Sequence, residues 1–316
     1  MAQRTSDAID IGFTSRLKSV LQSGRFAVTC ELGPPQGSTV EPLVHKAEIV
    51  KGFVDAANLT DCTGAMVRLS SFASSLAVMR VGLEPVMQMT LRDRNRIGLQ
   101  SDLLGASALG VRNILCLYGD LPAVGNEKEA KPVYDLNTET LISMIRKMRD
   151  ESALLGGGKI SVPPDFFIGA AASPVREDSE QRIEKIRKKV DAGAQFIQTQ
   201  PIFDLELFGE FMDDVNSSGI GGKCHVIAGI MPLRSLKMAR HLREQMHGIA
   251  VTDDILTRME KADSQEQEGI RISLEAIDEL KRIRGLAGIH IMTVSWEQSI
   301  PKIVEEAGLT PRPVFQ

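Results

Sequence analysis

The chain has 316 residues, with 37 Lys plus Arg against 41 Asp plus Glu and a net charge of −4. This mild acidity argues against non-specific nucleic-acid binding. Its apolar runs are far shorter than the ~20 residues that a membrane span needs. The opening residues "MAQRTSDAIDIGF" lack the apolar core of a secretion signal. We therefore expect a cytoplasmic protein with neither nucleic acid nor membrane as a partner.

Short apolar segments alternate with amphipathic ones along the chain. The predicted strands are 26–31, 55–60, 84–90, 112–118, 166–172, 195–200, 224–230 and 288–294. The predicted helices that follow them are 40–52, 70–80, 95–109, 137–154, 178–192, 204–217, 234–247 and 298–307. Nearly continuous apolar strands such as "NILCLY" are typical of parallel strands covered by helices. The pattern predicts an α/β fold, a (β/α)₈ TIM barrel, with an open doubly wound sheet as the alternative.

Two segments depart from simple alternation. Residues 11–22 form an extra helical pattern within an N-terminal extension, 1–24, and we expect this helix to cover the barrel bottom. Residues 251–284 predict a helical insertion before the last strand. No linker interrupts the chain, so we expect one domain over 1–316 that ends in a tail at 308–316.

Neither the cysteines nor the histidines of the chain suggest a metal site. The four cysteines form no C-x-x-C pair, and the five histidines have no H-E-x-x-H spacing. We therefore expect no metal ligands in this chain, and no iron–sulfur cluster held by it.

Polar residues lie at the predicted strand ends, which is where a barrel carries its active site. The strand in "RFAVTCELGPP" is apolar, yet it ends in Glu31. Five further strand ends are polar, and their residues include Thr60, Gln88, Tyr118, Gly119, Asp120, Ser173 and Gln200. We expect these groups to converge on one mouth.

Two features strengthen this expectation. The loop at 118–137 is much longer than the ~2–6 residues usual after a barrel strand, and long loops at this end are usually functional. In the helix at 178–192, Lys185 and Lys189 share one flank at i, i+4. Such a flank is usually only solvated, but beside a barrel mouth it can hold a phosphate.

The segments "CELGPP", "ANLTD", "YGDLP", "KKVDAGAQFIQTQPIFD" and "AGIMP" occur in this order. Together they resemble the methylenetetrahydrofolate reductase family, flavin-dependent barrel enzymes of one-carbon metabolism and methionine biosynthesis. The resemblance covers roughly residues 20–305. It implies an oxidoreductase with a tetrahydrofolate substrate and a flavin cofactor. It also implies a tendency to oligomerise.

The resemblance assigns roles to three polar residues. Glu31 matches the family's acid, which protonates the folate so that the five-membered ring opens to an iminium, and a hydride from reduced flavin then makes the methyl group. Asp120 matches an aspartate that contacts the pterin and lies near the flavin, and Gln200 matches a glutamine that contacts the folate. Because Glu31 ends an apolar strand, desolvation should raise its pKa toward the range useful for an acid.

Other positions resemble flavin contacts. Thr60, Gly119 and Lys189 match such contacts directly, and Tyr134 matches an aromatic residue near the adenine end of the cofactor. Gln88 stands where many members have a histidine, and its amide can still hydrogen-bond a flavin.

Several residues depart from the family pattern. Tyr118 replaces the Arg of "RGDLP", and Ala172, Ser173 and Pro174 replace "AYPE". These two changes leave FAD, the favoured cofactor, and FMN as alternatives. Leu236 stands near a Phe that stacks on the nicotinamide cofactor, and a Leu lacks the ring geometry for stacking. In "IMTVSW", moreover, Trp296 replaces an Arg. The electrons therefore come either from NAD(P)H or from a partner subunit that carries an iron–sulfur or zinc centre.

Two other interpretations stay open. A flavin-free, pterin-binding barrel that transfers methyl groups would be colourless. A non-catalytic subunit that keeps the barrel for assembly would be expected to lose the acid, but Glu31, Asp120 and Gln200 are all present.

Overall fold

The computed structural model describes residues 14–175, 178–246 and 248–315. Eight parallel strands close into one barrel in chain order, and β1 pairs with β8. This closure confirms the (β/α)₈ barrel and excludes the open sheet. The strands are β1 Ala27–Leu32, β2 Ala56–Leu59, β3 Pro85–Thr90, β4 Asn113–Leu117, β5 Phe167–Ala172, β6 Phe196–Pro201, β7 His225–Ile230 and β8 Leu286–Ile291.

Helices follow the strands and cover the outside of the barrel. They are α1 Arg16–Gln22, α2 Glu41–Val50, α3 Ser71–Arg80, α4 Arg96–Ala108, α5 Thr138–Asp150, α6 Ser179–Ala192, α7 Leu205–Ser217, α8 Leu236–Gln245, α9 Asp253–Lys261, α10 Gln265–Leu280 and α11 Ser299–Glu306. The extra N-terminal helix and the helical insertion before β8 are therefore both confirmed. Four predicted segments extend onto residues outside the described ones, namely 1–24 at 1–13, 11–22 at 11–13, 234–247 at 247, and 308–316 at 316.

Local sequence signals define both ends of α6. Before α6, the side chain of Asp178 accepts a hydrogen bond from the backbone N–H of Gln181 and so caps the first turn. After α6, Gly193 adopts φ of 127°, a conformation that suits glycine at a helix end. These two residues fix the segment over which α6 faces the barrel.

The side chains of β1 alternate between two environments. Val28, Cys30 and Leu32 are fully buried in the layer between the strands and the helices. Ala27 points into the barrel instead, where it belongs to the cluster that contains Leu17 of α1. Thr29 and Glu31 share the inward face with Ala27, because successive strand residues point to opposite sides.

Helix α1 closes the bottom of the barrel, as the sequence predicts. Leu17, Val20 and Leu21 are buried against the first residues of β5 and β6, Phe167 and Phe196, whose rings stack at 5.0 Å between centroids. This apolar cluster closes the bottom of the barrel in the described part of the chain, and the cavity described below opens at the other end.

A buried ion pair joins the tail to the bottom of the barrel. Arg312 donates to both carboxylate oxygens of Asp55, at 2.5 and 3.2 Å, and Asp55 also accepts from the backbone N–H of Val28 at 2.8 Å. Both charged side chains are almost fully buried. The tail is therefore part of the barrel's structure.

Two predicted boundaries were wrong. The last strand was placed at 288–294 but runs over Leu286–Ile291, because it begins directly after a turn at Gly285, where φ is +82°. Residues 292–294 consequently belong to the loop at the mouth. The helix predicted over 137–154 ends at Asp150, and Ala153 then pairs with Lys159 in a short antiparallel bridge.

Candidate active site

The predicted site residues lie at the carboxyl ends of the strands, with a few on the adjoining helices and loops. Glu31 is the second-last residue of β1, and Gln200 lies near the end of β6. Gln88 is buried inside β3. The remaining strand-end residues follow directly on their strands, and these are Thr60 after β2, Tyr118, Gly119 and Asp120 after β4, and Ser173 after β5.

Glu31 is a half-buried carboxyl at the mouth. Gln88 Nε2 donates a long hydrogen bond to Glu31 Oε2 at 3.4 Å. Burial raises the pKa of the Glu31 carboxyl, and the bond from Gln88 offsets this effect only in part. Glu31 can therefore keep its proton at a higher pH than an ordinary glutamate, which is the property of a general acid.

A layer of buried polar side chains lies in the barrel beneath Glu31. This layer, called the polar floor below, consists of Thr29, Asn58, Gln198 and His290. Thr29 Oγ1 shares a hydrogen bond of 2.8 Å with His290 Nδ1, and Asn58 Nδ2 donates to Gln198 Oε1 at 2.9 Å. Asn58 is also the register partner of Glu31 in the neighbouring strand. The floor is thus polar but carries no carboxylate.

Two atoms of the polar floor have no partner. Among the described residues, neither Asn58 Oδ1 nor His290 Nε2 has a hydrogen-bond partner. Complete burial lowers the pKa of the His290 imidazole to about 3, so the ring is neutral at ordinary pH. Buried unpaired polar atoms of this kind are commonly satisfied by internal water.

The backbone at Asp120 is held by residues from neighbouring loops. Arg92 Nη1 donates to the Asp120 carbonyl at 3.2 Å, and the Tyr134 hydroxyl donates to the carbonyls of Gly119 and Asp120 at 3.1 and 3.4 Å. The carboxylate itself accepts from the backbone N–H of Gly64 at 2.9 Å. Asp120 is therefore exposed at the mouth but fixed in direction.

The loops after β2 and β4 approach each other closely. A Cβ built on Gly125 would lie 1.9 Å from the carbonyl oxygen of Ala65, so only glycine fits there. Beside this contact, Asn126 Oδ1 accepts from the backbone N–H of Val67 at 2.9 Å. The long loop predicted to be functional is therefore ordered against the loop that orients Asp120.

A cavity of about 320 Å³ opens between the ends of β4, β5 and β6 and the inner side of α6. Of the predicted site residues, Tyr118, Ser173, Lys185, Lys189 and Gln200 line it. The others do not, and these are Glu31, Thr60, Gln88, Gly119, Asp120 and Tyr134. The site thus has two parts, a mouth around Glu31 and Asp120 and a cavity beside α6.

The cavity wall formed by α6 is cationic. Arg182, Lys185 and Lys189 all line it, and Lys189 Nζ donates to the Ala171 carbonyl at 2.7 Å. On the outer flank of the helix, Glu184 and Lys188 form the predicted pair, 3.7 Å apart. A cluster of cations of this kind suits an anionic group such as a phosphate.

Arg182 is a cavity residue that the sequence reasoning missed. Its side chain is buried, and its Nη1 donates to the Pro174 carbonyl at 2.7 Å. The available signal was its spacing, because Arg182 precedes Lys185 by three positions and therefore shares a face with it.

The only two tyrosines of the chain form a stacked pair at the edge of the cavity. The rings of Tyr118 and Tyr134 lie 4.4 Å apart between centroids and are tilted by only 8°. Tyr118 is 52% exposed and lines the cavity, whereas Tyr134 lies behind it. Gly119 follows with φ of +92°, a conformation that side chains rarely adopt, so the turn after Tyr118 favours glycine.

Within 14–175, 178–246 and 248–315, no three or more His, Cys, Asp or Glu side chains are grouped so that they could hold a metal ion. In the same part of the chain, no helix combines the length and apolarity needed to cross a membrane.

A closed (β/α)₈ barrel with a raised-pKa acid and a cationic cavity at its strand ends belongs, by architecture, to the TIM-barrel enzyme class. The sequence profile described as Methylenetetrahydrofolate reductase matches residues 16–308. The chain therefore belongs to the methylenetetrahydrofolate reductase family.

Two curated relatives illustrate the similarity. The chain is 29% identical over 262 residues to "Probable methylenetetrahydrofolate reductase (NADPH)" of Caenorhabditis elegans, which covers 81% of this chain and 36% of that protein. It is 24% identical over 300 residues to "5,10-methylenetetrahydrofolate reductase" of Pectobacterium carotovorum subsp. carotovorum, over 91% of this chain and 92% of that protein.

Other curated relatives are also matched over only part of their length. The chain spans 39% of the Schizosaccharomyces pombe "Methylenetetrahydrofolate reductase 2" and 50% of the Arabidopsis thaliana "Methylenetetrahydrofolate reductase (NADH) 1". Like the nematode relative, these two proteins are much longer than the region that each of them shares with this chain.

One solved structure has the same fold. It is described as "Uncharacterized protein from Clostridium thermocellum binds two copies of 5-methyl-5,6,7,8-tetrahydrofolic acid". The two chains align with a TM-score of 0.68 at 15% identity, over 93% of this chain and all of the other. At this identity the likeness shows the fold.

Proposed function

We propose that the protein interconverts 5,10-methylenetetrahydrofolate and 5-methyltetrahydrofolate with a flavin as its redox cofactor. The observation that carries the proposal is Glu31, a carboxyl whose pKa burial raises, at the mouth of a barrel of this family. The reaction needs an acid that can protonate a weakly basic nitrogen near neutral pH, and a desolvated glutamate meets that need. The folate-binding fold neighbour supports the same class of substrate.

The residues of the mouth, together with Gln200 of the adjoining cavity, have separate roles. Glu31 donates its proton to the folate nitrogen that leaves the one-carbon unit, and it takes the proton back in the reverse direction. Gln88 holds Glu31 Oε2 through its amide, which limits the rotation of the acid. Asp120 and Gln200 bind the polar edge of the pterin and fix its orientation, because precise placement accounts for a large part of such barriers.

The donor set beside α6 fits a flavin nucleotide. A flavin, when bound, supplies and accepts the hydride, and its side chain carries a phosphate. Arg182, Lys185 and Lys189 form one wall of the cavity, and Tyr118 forms an aromatic edge. Thr60, Gln88 and Gly119 lie at the mouth end of the site, where the ring would be held between the cavity and Glu31. We favour FAD over FMN because an aromatic surface lies next to the cations.

The electron source is NAD(P)H or a partner redox subunit. Leu236 is half-buried at the start of α8 and packs against an apolar cluster, and its own side chain offers no ring for a nicotinamide. Trp296 is also engaged, because Arg234 lies over its ring at 5.6 Å. These features support delivery of electrons by a partner. We also expect an oligomer in the cytoplasm, where the four free cysteines would stay reduced.

Substitution Glu31→Gln tests the role of the acid. The variant should bind flavin as the wild type does, judged by the visible absorbance of the purified protein. Its rate of methyltetrahydrofolate formation should fall by about 100-fold or more, because general acids typically contribute at least that factor. Glu127→Gln on the exposed part of the long loop is the matched control and should keep full activity. A Glu31→Gln variant with near wild-type activity would remove the basis of the proposal.

An anoxic visible spectrum tests the cofactor and the electron source together. A flavin band that bleaches promptly in NADH would show direct use of the nicotinamide. A band that persists would favour a partner subunit. Colourless protein that takes up no added flavin would instead favour a flavin-free barrel that transfers methyl groups.

A further inference from the structure

A second cavity lies beside the bottom of the barrel, at the opposite end from Glu31. Its volume is about 410 Å³, which is within the range of small-molecule sites. It lies between the start of α1, the turns that follow α2 and α3, and the residues just before β4. This basal cavity is bounded by Arg16, Lys51, Gly82 and Arg112. It shares no lining residue with the cavity beside α6 and is therefore a separate place on the molecule.

Hydrocarbon forms much of the wall of the basal cavity. Val54, Met79, Leu83 and Pro85 line it, and Val54 and Leu83 belong to the main apolar core. Gly110 also lines it, in the turn before β4, where a Cβ would lie 2.9 Å from Met79 Cε and crowd the wall. No aromatic side chain is among the described residues that line this cavity. The wall therefore suits an aliphatic chain better than a flat ring, which would find no ring to stack on.

The two carboxylates at the basal cavity are already engaged. Asp55 accepts from two nitrogens of the Arg312 guanidinium, at 2.5 and 3.2 Å. Glu84 accepts from the backbone N–H groups of Arg16 and Leu17 at 2.7 and 3.0 Å, and so satisfies the first N–H groups of α1. Burial also raises the pKa of Glu84, which favours its neutral form. Neither carboxylate is therefore well placed to hold a cationic ligand.

Three cations line the same cavity, namely Arg16, Lys51 and Arg112. Arg16 Nε is buried and has no hydrogen-bond partner among the described residues, and it lies 3.5 Å from Asp55 Oδ1. Lys51 is exposed after the last turn of α2, and its Nζ lies 3.2 Å from the position that a Cβ on Gly82 would take. Its side chain thus extends from α2 to the turn after α3. This balance of charge favours an anionic group at the rim of the cavity.

We propose that the basal cavity binds an aliphatic monocarboxylate, whose chain lies against Val54, Met79 and Leu83 and whose carboxylate lies between Arg16 and Lys51. Burial of the chain supplies most of the affinity, and the cations select the charge. The inference does not rest on the proposed function, because the basal cavity lies at the opposite end of the barrel and needs neither flavin nor folate.

Isothermal titration of octanoate, hexanoate and octylamine into the full chain tests the proposal. Each buried methylene group typically raises affinity about fourfold, so octanoate should bind about tenfold more tightly than hexanoate. Octylamine has the same chain with the opposite charge, and it should bind at least tenfold more weakly than octanoate. Added FAD should leave the affinity for octanoate unchanged, because the two cavities are separate.

Three variants locate the carboxylate. Lys51→Glu reverses the charge at the rim and should weaken octanoate binding by about tenfold or more, the usual effect of losing a charge-assisted hydrogen bond. Lys51→Arg keeps the charge and should bind octanoate as the wild type does. Lys237→Glu makes the same change of charge at an exposed position on α8 and should also resemble the wild type. Circular dichroism would verify that all three variants are folded.

Four results would overturn the proposal. Wild-type protein that binds no octanoate would remove the site, and octylamine that binds as tightly as octanoate would refute selection by the cations. Displacement of octanoate by FAD would place the carboxylate in the cavity beside α6. Equal affinities of Lys51→Glu and Lys237→Glu for octanoate would show that Lys51 does not hold the ligand.

Discussion

His290 makes a quantitative prediction about how stability depends on pH. The ring is completely buried in the polar floor, and burial lowers its pKa from 6.5 to about 3. In the unfolded chain the same ring titrates near its ordinary value of about 6.5. Between these two values the unfolded state binds more protons than the folded state, so stability rises with pH.

The size of the effect follows from the two pKa values. The stabilisation that neutral His290 permits is fully present above about pH 6.5 and is lost progressively as the pH falls. At about pH 5, the unfolded ring is already 1.5 units below its pKa. Because one unit is worth about 1.4 kcal/mol, the loss attributable to His290 at that pH is about 2 kcal/mol.

Urea unfolding of His290→Asn and the wild type at about pH 7.5 and pH 5 isolates this contribution. Asn has no titrating group. The difference in the free energy of unfolding between the wild type and the variant should therefore narrow by about 2 kcal/mol at the lower pH. Burial raises the pKa values of Glu31 and Glu84, so both carboxyls favour the folded state at low pH. Because both proteins contain them, the comparison cancels their contribution to the pH dependence. Exposed His241→Asn is the control and should show no such change. A gap that stays constant or widens at the lower pH would refute a neutral, buried His290.

Two further substitutions test the frame around the site. Gly125→Ala places a Cβ 1.9 Å from the Ala65 carbonyl oxygen, so the loops at the mouth must separate. We expect folate binding to weaken by about tenfold, because small displacements of positioning loops are costly, and isothermal titration would measure it. Asp55→Asn leaves the guanidinium of Arg312 buried opposite a neutral group. It should destabilise the protein by about 3–5 kcal/mol in urea unfolding, the usual cost of breaking a buried pair.

Matched controls separate these effects from general damage. Gly156→Ala introduces a Cβ with nothing within 4 Å, so it should leave folate affinity unchanged. Asp213→Asn changes an exposed aspartate on α7 and should alter stability by less than about 0.5 kcal/mol. Equal behaviour of either test variant and its control would contradict the structural reasoning.

The strands were predictable because of how parallel sheets are buried. A strand such as Asn113–Leu117 is covered by helices outside and filled by side chains inside, so it reads as an almost continuous apolar run. The ends of β8 were less predictable. They depend on the register with β1 and β7, which exists only once the barrel closes.

The residues of the site also differ in whether the sequence could predict them. Glu31 and Asp120 could be found because strand ends mark the mouth of a barrel. The polar floor could not, because Thr29 and His290 are 261 residues apart and meet only through closure of β1 on β8. Stacking of Tyr118 on Tyr134 likewise depends on the path of the loop between them, which residue spacing does not determine.

The polar floor bears directly on the proposed acid. Burial raises the pKa of Glu31 and lowers that of His290, so it favours the neutral form of both groups. A protonated His290 would place a cation beneath Glu31, lower its pKa and release its proton too easily. Filling the floor with Thr29, Asn58 and Gln198 avoids this, because these groups hydrogen-bond without charge. The floor can thus be polar enough to hold water yet keep Glu31 an acid.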